Sequence, residues 1–235
     1  MKLGILFSGG KDSFLAMLKA MENHHEIACL ITIISKNNES YMFHVPAIEL
    51  ACYHAKALDI PLVEGKTQGI KEKELTDLKI VIKEAMIKYQ INGIVTGAIA
   101  STYQTSRIQR ICDELGLWCF NPLWEMDQML VLREIINAKL KTIITGIAAY
   151  PLDEKWLGRE IDDKFYEDVL LLEKKYMINP AGEGGEFETL VTGSPIHKYT
   201  IKILETEKHY CPAENWGILM IKKVELENTH INQSV

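Results

Sequence analysis

The sequence has no C-x-x-C pair and no histidine at zinc-finger distance from a cysteine; its five cysteines, Cys29, Cys52, Cys112, Cys119 and Cys211, are scattered over 235 residues. That scatter excludes a structural zinc site and leaves no obvious thiol carrier for sulfur transfer. No apolar run reaches 18 residues, and the apolar stretch at residues 1–7 is too short for a secretory core. A membrane span and a signal peptide are therefore not expected, and the thiols suit a reducing, cytoplasmic setting. An excess of basic charge is also missing. With 26 Lys and Arg against 32 Asp and Glu the formal charge is −6. Residues 1–124 carry 13 side chains of each sign and residues 125–235 carry 13 basic and 19 acidic ones, so all the surplus acid lies in the second half. A nucleic-acid binder needs basic surface to displace phosphate counterions, so nucleic acid is not expected as the main partner, and a cationic or protein partner suits better.

With 47% apolar and 25% charged residues, 15 glycines and 7 prolines, the chain has the composition of a folded protein, and its length supports one large core or two smaller ones. Short apolar runs alternate with helical periodicity through the first hundred residues, which predicts βαβ units and a parallel sheet. Strands are expected at residues 3–7, 27–34, 60–63, 94–97 and 117–120. Helices are expected from about Ser13, over 47–58, along the Leu75, Leu78, Ile82, Ala85, Tyr89 stripe, and up to Gly116. After Trp124 the rhythm changes. A helix at 127–139, a β-prone run at 142–150 and a helix at 162–176 lead into a Gly/Glu-rich loop, followed by strand-like runs at 200–206 and 218–226. A domain boundary is placed near residue 124.

The most specific signal is Ser8-Gly9-Gly10-Lys11-Asp12-Ser13, between a predicted strand and a predicted helix. Two glycines allow a tight turn that brings backbone N–H groups to an anion, which the helix N-terminus also attracts. Lys11 adds positive charge, and the hydroxyls of Ser8 and Ser13 add donors. The Walker A pattern does not fit, because Asp12 stands where Ser or Thr must follow the lysine. A second motif, residues 97–107, begins with Gly97 after the fourth strand, at the sheet edge where open α/β folds bind ligands. Tyr103, Arg107 and Arg110 follow at helical spacing, so they can reach one site together. A third, Gly182-Glu183-Gly184-Gly185-Glu186-Phe187-Glu188-Thr189, places three carboxylates within six residues among glycines that demand an unusual backbone path. Such a cluster would receive a cation: Mg²⁺, ammonium or a positively charged substrate.

Residues 8–13 resemble the pyrophosphate loop of the ATP pyrophosphatases of the HUP superfamily. Together with Ser40-Tyr41-Met42-Phe43-His44, Gly69 through Lys71-Glu72 to Glu74, Ser101-x-Tyr103-Gln104-x-x-Arg107, Pro122-Leu123-Trp124, Leu157-Gly158-Arg159 and residues 179–189, they make the chain similar to the diphthine–ammonia ligase family over nearly its whole length. The resemblance implies an α/β architecture: a Rossmann-like HUP domain with a parallel sheet over 1–124, plus a smaller C-terminal α/β domain over 125–235 carrying the acidic loop, with the active site drawing on both.

It implies ATP and Mg²⁺ as cofactors, and as partners ammonia and elongation factor 2 bearing diphthine, the trimethylated carboxypropyl-histidine; a homo-oligomer is compatible with it. The diphthine carboxylate would attack the α-phosphate, giving an acyl-adenylate and pyrophosphate, and ammonia would displace AMP. Ser8, Gly9, Gly10, Lys11, Asp12 and Ser13, with Gly97, would hold the nucleotide, Asp12 also placing Mg²⁺. Tyr103, Gln104 and Arg107 would orient the α-phosphate or the carboxylate. Glu183, Glu186 and Glu188 would face the cationic substrate, and Lys11, Asp12, Glu183 and Glu186 are the expected catalytic residues. The alternatives are an ATP pyrophosphatase that adenylates a tRNA base or a small molecule, and an ATP-binding module without this chemistry.

Overall fold

The computed structural model describes residues 1–35, 48–70 and 72–229. The motif at residues 40–44, Ala47 and Lys71 lie outside the described residues. The chain divides into two compact units, one of Met1–Ser8, Asp12–Ala55 and Ile60–Glu125, the other of Gly9–Lys11, Lys56–Asp59 and Met126–Val235.

In the first unit β1 (Lys2–Leu6), β2 (Glu26–Ser35), β3 (Leu62–Thr67), β4 (Gly93–Val95) and β5 (Trp118–Phe120) form one sheet in the order β3-β2-β1-β4-β5. Every pairing is parallel. Helices α1 (Lys11–Glu22), α2 (Ala51–Leu58), α3 (Lys73–Tyr89) and α4 (Thr102–Leu115) connect the strands. Covered strands need apolar side chains on both faces, hence the continuous runs of Leu3, Ile5, Leu30, Ile31, Ile94 and Val95, all buried. This is the doubly wound order, whose connections reverse direction between β1 and β4. Glycine in the left-handed conformation ends α4 at Gly116, with φ +67°, as the sequence predicts.

The second unit holds α5 (Gln128–Asn137), β6 (Lys141–Ile147), α6 (Asp163–Tyr176), β7 (Phe187–Gly193), β8 (Tyr199–Cys211) and β9 (Trp216–Asn228). Its sheet has the order β7-β6-β9-β8 and is antiparallel throughout. Asp127 and Asp162 cap α5 and α6 by accepting the Leu130 and Phe165 N–H groups at 2.9 and 2.7 Å. The class is α/β, with a parallel and an antiparallel sheet in separate units. Among the described residues no helix is long and apolar enough to cross a membrane.

Several predicted elements shift for identifiable reasons. Helix α1 starts at Lys11 rather than Ser13, because Gly9, at φ +81°, already turns the chain out of β1. Strand β3 starts after Pro61, which has no N–H to give the ladder, although its carbonyl still accepts from Leu30 at 2.8 Å. The helix expected over 47–58 opens as a 3-10 turn at Ile48–Leu50. The hairpin strands β8 and β9 run to 13 residues each, well beyond the predicted cores. Strand β7 lies where only a loop was expected; its Thr, Leu and Val residues pair with β6 once Phe187 is past the glycines.

Candidate functional site

Residues 8–13 leave the carboxyl end of β1 beside its parallel neighbour β4, where the sheet's connections reverse. Lys11, Asp12 and Ser13 form the first turn of α1, whose backbone N–H groups are the natural donors to an anion. Ser8 and Ser13 place their hydroxyl oxygens 3.3 Å apart. Behind the loop Phe7, Phe14 and His54 pack edge to face, with ring centroids 5.1 to 5.4 Å apart. All three are buried. They fix the residues on either side of the loop, and His54 carried no sequence signal beyond its place on the inward face of α2.

Gly97 explains how the end of β4 meets the first turn of α1. A Cβ at this position would lie 2.7 Å from the Asp12 carbonyl carbon and 2.8 Å from the Ser13 nitrogen. Those are backbone atoms and cannot swing aside. The corner is also held by Thr96, whose hydroxyl donates to Asn121 Oδ1 at 2.5 Å and accepts from the Ala98 N–H at 3.4 Å. Sequence reasoning gave Asn121 no part; the structure makes it the support of this corner.

On α4, Ser101 caps the helix by accepting the Gln104 N–H at 3.3 Å. The Arg107 guanidinium stacks 3.4 Å above the centre of the Tyr103 ring and donates from Nε to Glu72 Oε1 at 2.9 Å. The Tyr103 hydroxyl donates to the same oxygen at 3.3 Å. Glu72 stands at the N-cap of α3 with φ +67° yet makes no capping bond, since its carboxylate is turned to Arg107. Desolvation raises the Tyr103 pKa against the lowering effect of the Arg107 charge, and the bond to Glu72 raises that of Arg107. Tyr103 and Arg107 thus come together around a carboxylate. Arg110 does not join them; it pairs with Glu114 at 3.0 Å on the exposed face.

In the second unit the 182–189 motif spans a glycine turn and the start of strand β7. Gly182 and Gly185 adopt φ +72° and +85°, a region that other residues enter only with strain. Gly184 lies close against this turn: a Cβ there would lie 2.6 Å from Asn179 Nδ2 and 2.7 Å from Glu186 Oε1, so those side-chain ends would have to shift. The Glu186 carboxylate closes this turn, Oε1 accepting from the Asn179 N–H at 3.2 Å and from its side-chain amide at 2.5 Å. Asn179 in turn accepts from Gln128 Nε2 at 3.2 Å, and Gln128 accepts the Ala181 N–H at 3.1 Å. The other Glu186 oxygen, Oε2, is shielded from solvent without a hydrogen-bond partner among the described residues.

From Phe187 onward the chain is strand β7. Phe187 and Thr189 are buried on one face, and the alternation of the strand puts Glu188 on the other. Among the described residues no three acidic, histidine or cysteine side chains come close enough to hold a metal ion. Of the three carboxylates, Glu186 is drawn back to Asn179, and Glu188 lies on the face of β7 opposite Phe187 and Thr189.

An open parallel sheet whose first strand delivers a glycine turn, a lysine and two hydroxyls to a helix N-terminus makes this an α/β protein with a turn suited to an anion. Residues 1–119 match the diphthamide synthase N-terminal domain and residues 127–226 the diphthamide synthase C-terminal domain. The chain belongs to the diphthamide synthase family. It is 30% identical to the diphthine–ammonia ligase of Mus musculus over 100% of this chain and 94% of that protein. It is 32% identical to that of Homo sapiens, over 88% of this chain and 84% of the relative. The diphthine–ammonia ligase of Schizosaccharomyces pombe is 31% identical over 88% of this chain, which spans only 37% of that longer protein.

Proposed function

We propose that this chain is an ATP-dependent ligase that amidates diphthine on elongation factor 2 with ammonia, through an acyl-adenylate, releasing AMP and pyrophosphate. The observation that carries this reading is the family match on both sides of residue 124, joined to a phosphate-binding turn at the reversal point of the parallel sheet.

In the proposed reaction the first turn of α1, with Ser8 and Ser13, holds the β- and γ-phosphates and then the departing pyrophosphate, while Lys11 offsets charge on the bridging oxygen. The donor set suits a triphosphate, being N–H, hydroxyl and ammonium groups with a single acid, Asp12. Mg²⁺ commonly binds through one or two carboxylates plus substrate phosphates, so Asp12 alone is an adequate protein ligand for an ion shared with ATP. Arg107 and Tyr103 already grip one carboxylate, that of Glu72, and in this reading they exchange it for the diphthine carboxylate or the α-phosphate. Glu183 and Glu186 supply negative charge toward the quaternary ammonium or the incoming ammonium. The reaction is placed in the cytoplasm, in keeping with five cysteines that are all free thiols.

Chromatography of nucleotide products after incubation with ATP, ammonium and diphthine-bearing elongation factor 2 tests the reading. AMP and pyrophosphate in step with amide formation are expected. A dominant ADP peak would sink the adenylation mechanism.

A further inference from the structure

The residues that end the 182–189 motif do something its charge pattern does not suggest. Phe187 and Thr189 share one face of β7 with Val191, and within the second unit these residues meet Gly9 and Lys11. The Thr189 hydroxyl accepts the Lys11 N–H at 3.1 Å, Val191 donates its N–H to the Gly9 carbonyl at 2.9 Å, and the Lys11 ammonium lies 5.5 Å over the centre of the Phe187 ring. Lys11 is only 3% exposed, and Phe187 and Thr189 4% each.

We propose that Phe187 and Thr189 are positioning residues for Lys11, Thr189 fixing its main chain at the start of α1 and Phe187 fixing its ammonium. This rests on the ATP reading above and deepens it. A lysine has four rotatable bonds and a strongly hydrated head, so an unrestrained one must be ordered and stripped of water when phosphate arrives. An aromatic face in a dry setting holds the cation in advance through its ring electrons and adds no counter-charge of its own. The Thr189 bond satisfies the first N–H of α1 and so sets the direction in which the following amides present themselves.

The support is itself rigid. Phe187 and Thr189 pair in register with Ile147 and Ile144 of β6, and the Phe187 ring meets Phe165 edge-on at 5.7 Å. The buried pair at the end of an apparently acidic motif is thus explained by the phosphate turn rather than by the cationic substrate.

The test uses the full chain with MgATP, measuring affinity by calorimetry and kcat and KM for ATP at steady state. Phe187→Leu keeps apolar bulk but removes the aromatic face; Thr189→Val removes the acceptor; Thr189→Ser restores it. Phe187→Leu and Thr189→Val should each weaken MgATP binding roughly five- to tenfold, and Thr189→Ser should return it to within about twofold of wild type. On a Lys11→Ala background Phe187→Leu should cause no further loss, because the group it positions is gone. Wild-type affinity in both variants, or a Phe187→Leu effect that persists undiminished beside Lys11→Ala, would overturn the proposal. Where Thr189→Val does not fold, the Phe187→Leu and Lys11→Ala cycle decides alone. A wild-type chain that shows no MgATP binding fails the ATP reading itself, an outcome distinct from wild-type binding with unmoved variants.

Discussion

The protein has two glycine-rich turns, and they use glycine for opposite ends. At residues 8–13 Gly9 turns the chain out of β1 so that helix α1 can begin at Lys11. At residues 182–186 the glycines let the chain fold against its own groups, Gly184 lying against Asn179 and the Glu186 carboxylate. One turn opens a helix, while the other spends a charged side chain on closing itself. Similar glycine content therefore says little about ligand binding until the backbone donors and acceptors are accounted for.

Replacing Lys11 separates the two turns most sharply. Lys11→Ala should cut pyrophosphate release by roughly a hundredfold or more, the scale of losing one charge-stabilising donor in a transition state. Thermal unfolding should move little, since the helix start keeps its Thr189 bond. Equal turnover in mutant and wild type would show that the first turn is not the phosphate site.

Next come the glycines. Gly97→Ala forces a Cβ to within 2.7 Å of the Asp12 backbone, so α1 or the end of β4 must move. A stability loss of about 1 to 3 kcal/mol, with weakened MgATP binding, is expected from urea unfolding and calorimetry. Gly184→Ala meets only the ends of two side chains, which can give way, and should leave MgATP affinity intact. If both substitutions weakened nucleotide binding equally, the contrast between the turns would not hold.

Glu186→Gln should lower single-turnover amide formation roughly tenfold, the scale of one charge-assisted contact, while ATP affinity stays unchanged. Glutamine keeps an acceptor for Asn179, so the turn itself should survive. Should Glu186→Gln turn over normally, the carboxylate serves only to close the loop.

The smallest effect concerns a residue outside both turns. His197 is buried, with Nδ1 2.6 Å from the Ser194 hydroxyl, and burial lowers its pKa from 6.5 to about 4. The folded state then holds the neutral ring while the unfolded chain takes up a proton, so its contribution to stability is complete above pH 6.5 and is lost as pH falls toward 4. That loss is on the order of 3 kcal/mol at full protonation but only about 1 to 2 kcal/mol between pH 7 and 5. Urea midpoints at pH 7 and 5 should differ by less in His197→Gln than in wild type, with nucleotide binding at pH 7 unaltered.

The strand order was not written in the sequence, but its ingredients were. The runs at Leu3 to Phe7 and Ile27 to Ile34 are apolar without alternation, which only a strand covered on both faces tolerates, and glycine at 116 marks a helix end by backbone sterics alone. Strand β7 was hidden because its first residues read as the tail of a charged loop; its strand character depends on the β6 ladder. For the candidate site, the phosphate turn and the Tyr103/Arg107 spacing were legible because each depends on neighbours within a few residues. His54, Asn121, and the Phe187 and Thr189 contacts with Lys11 were not, since they join segments tens to nearly two hundred residues apart.

Local chemistry alone determined the glycine turn at residues 8–13, the helix it feeds, the parallel first sheet and the family, because glycine torsions, helix N-termini and apolar periodicity act over short stretches of chain. Only the tertiary structure decided that Arg107 is held by Glu72, that Gly97 is required by the backbone of α1, and that an acidic motif divides between a self-closed turn and a strand that holds Lys11. Those outcomes depend on which distant groups are brought within hydrogen-bonding and van der Waals reach, and distances of that kind exist only once the chain has folded.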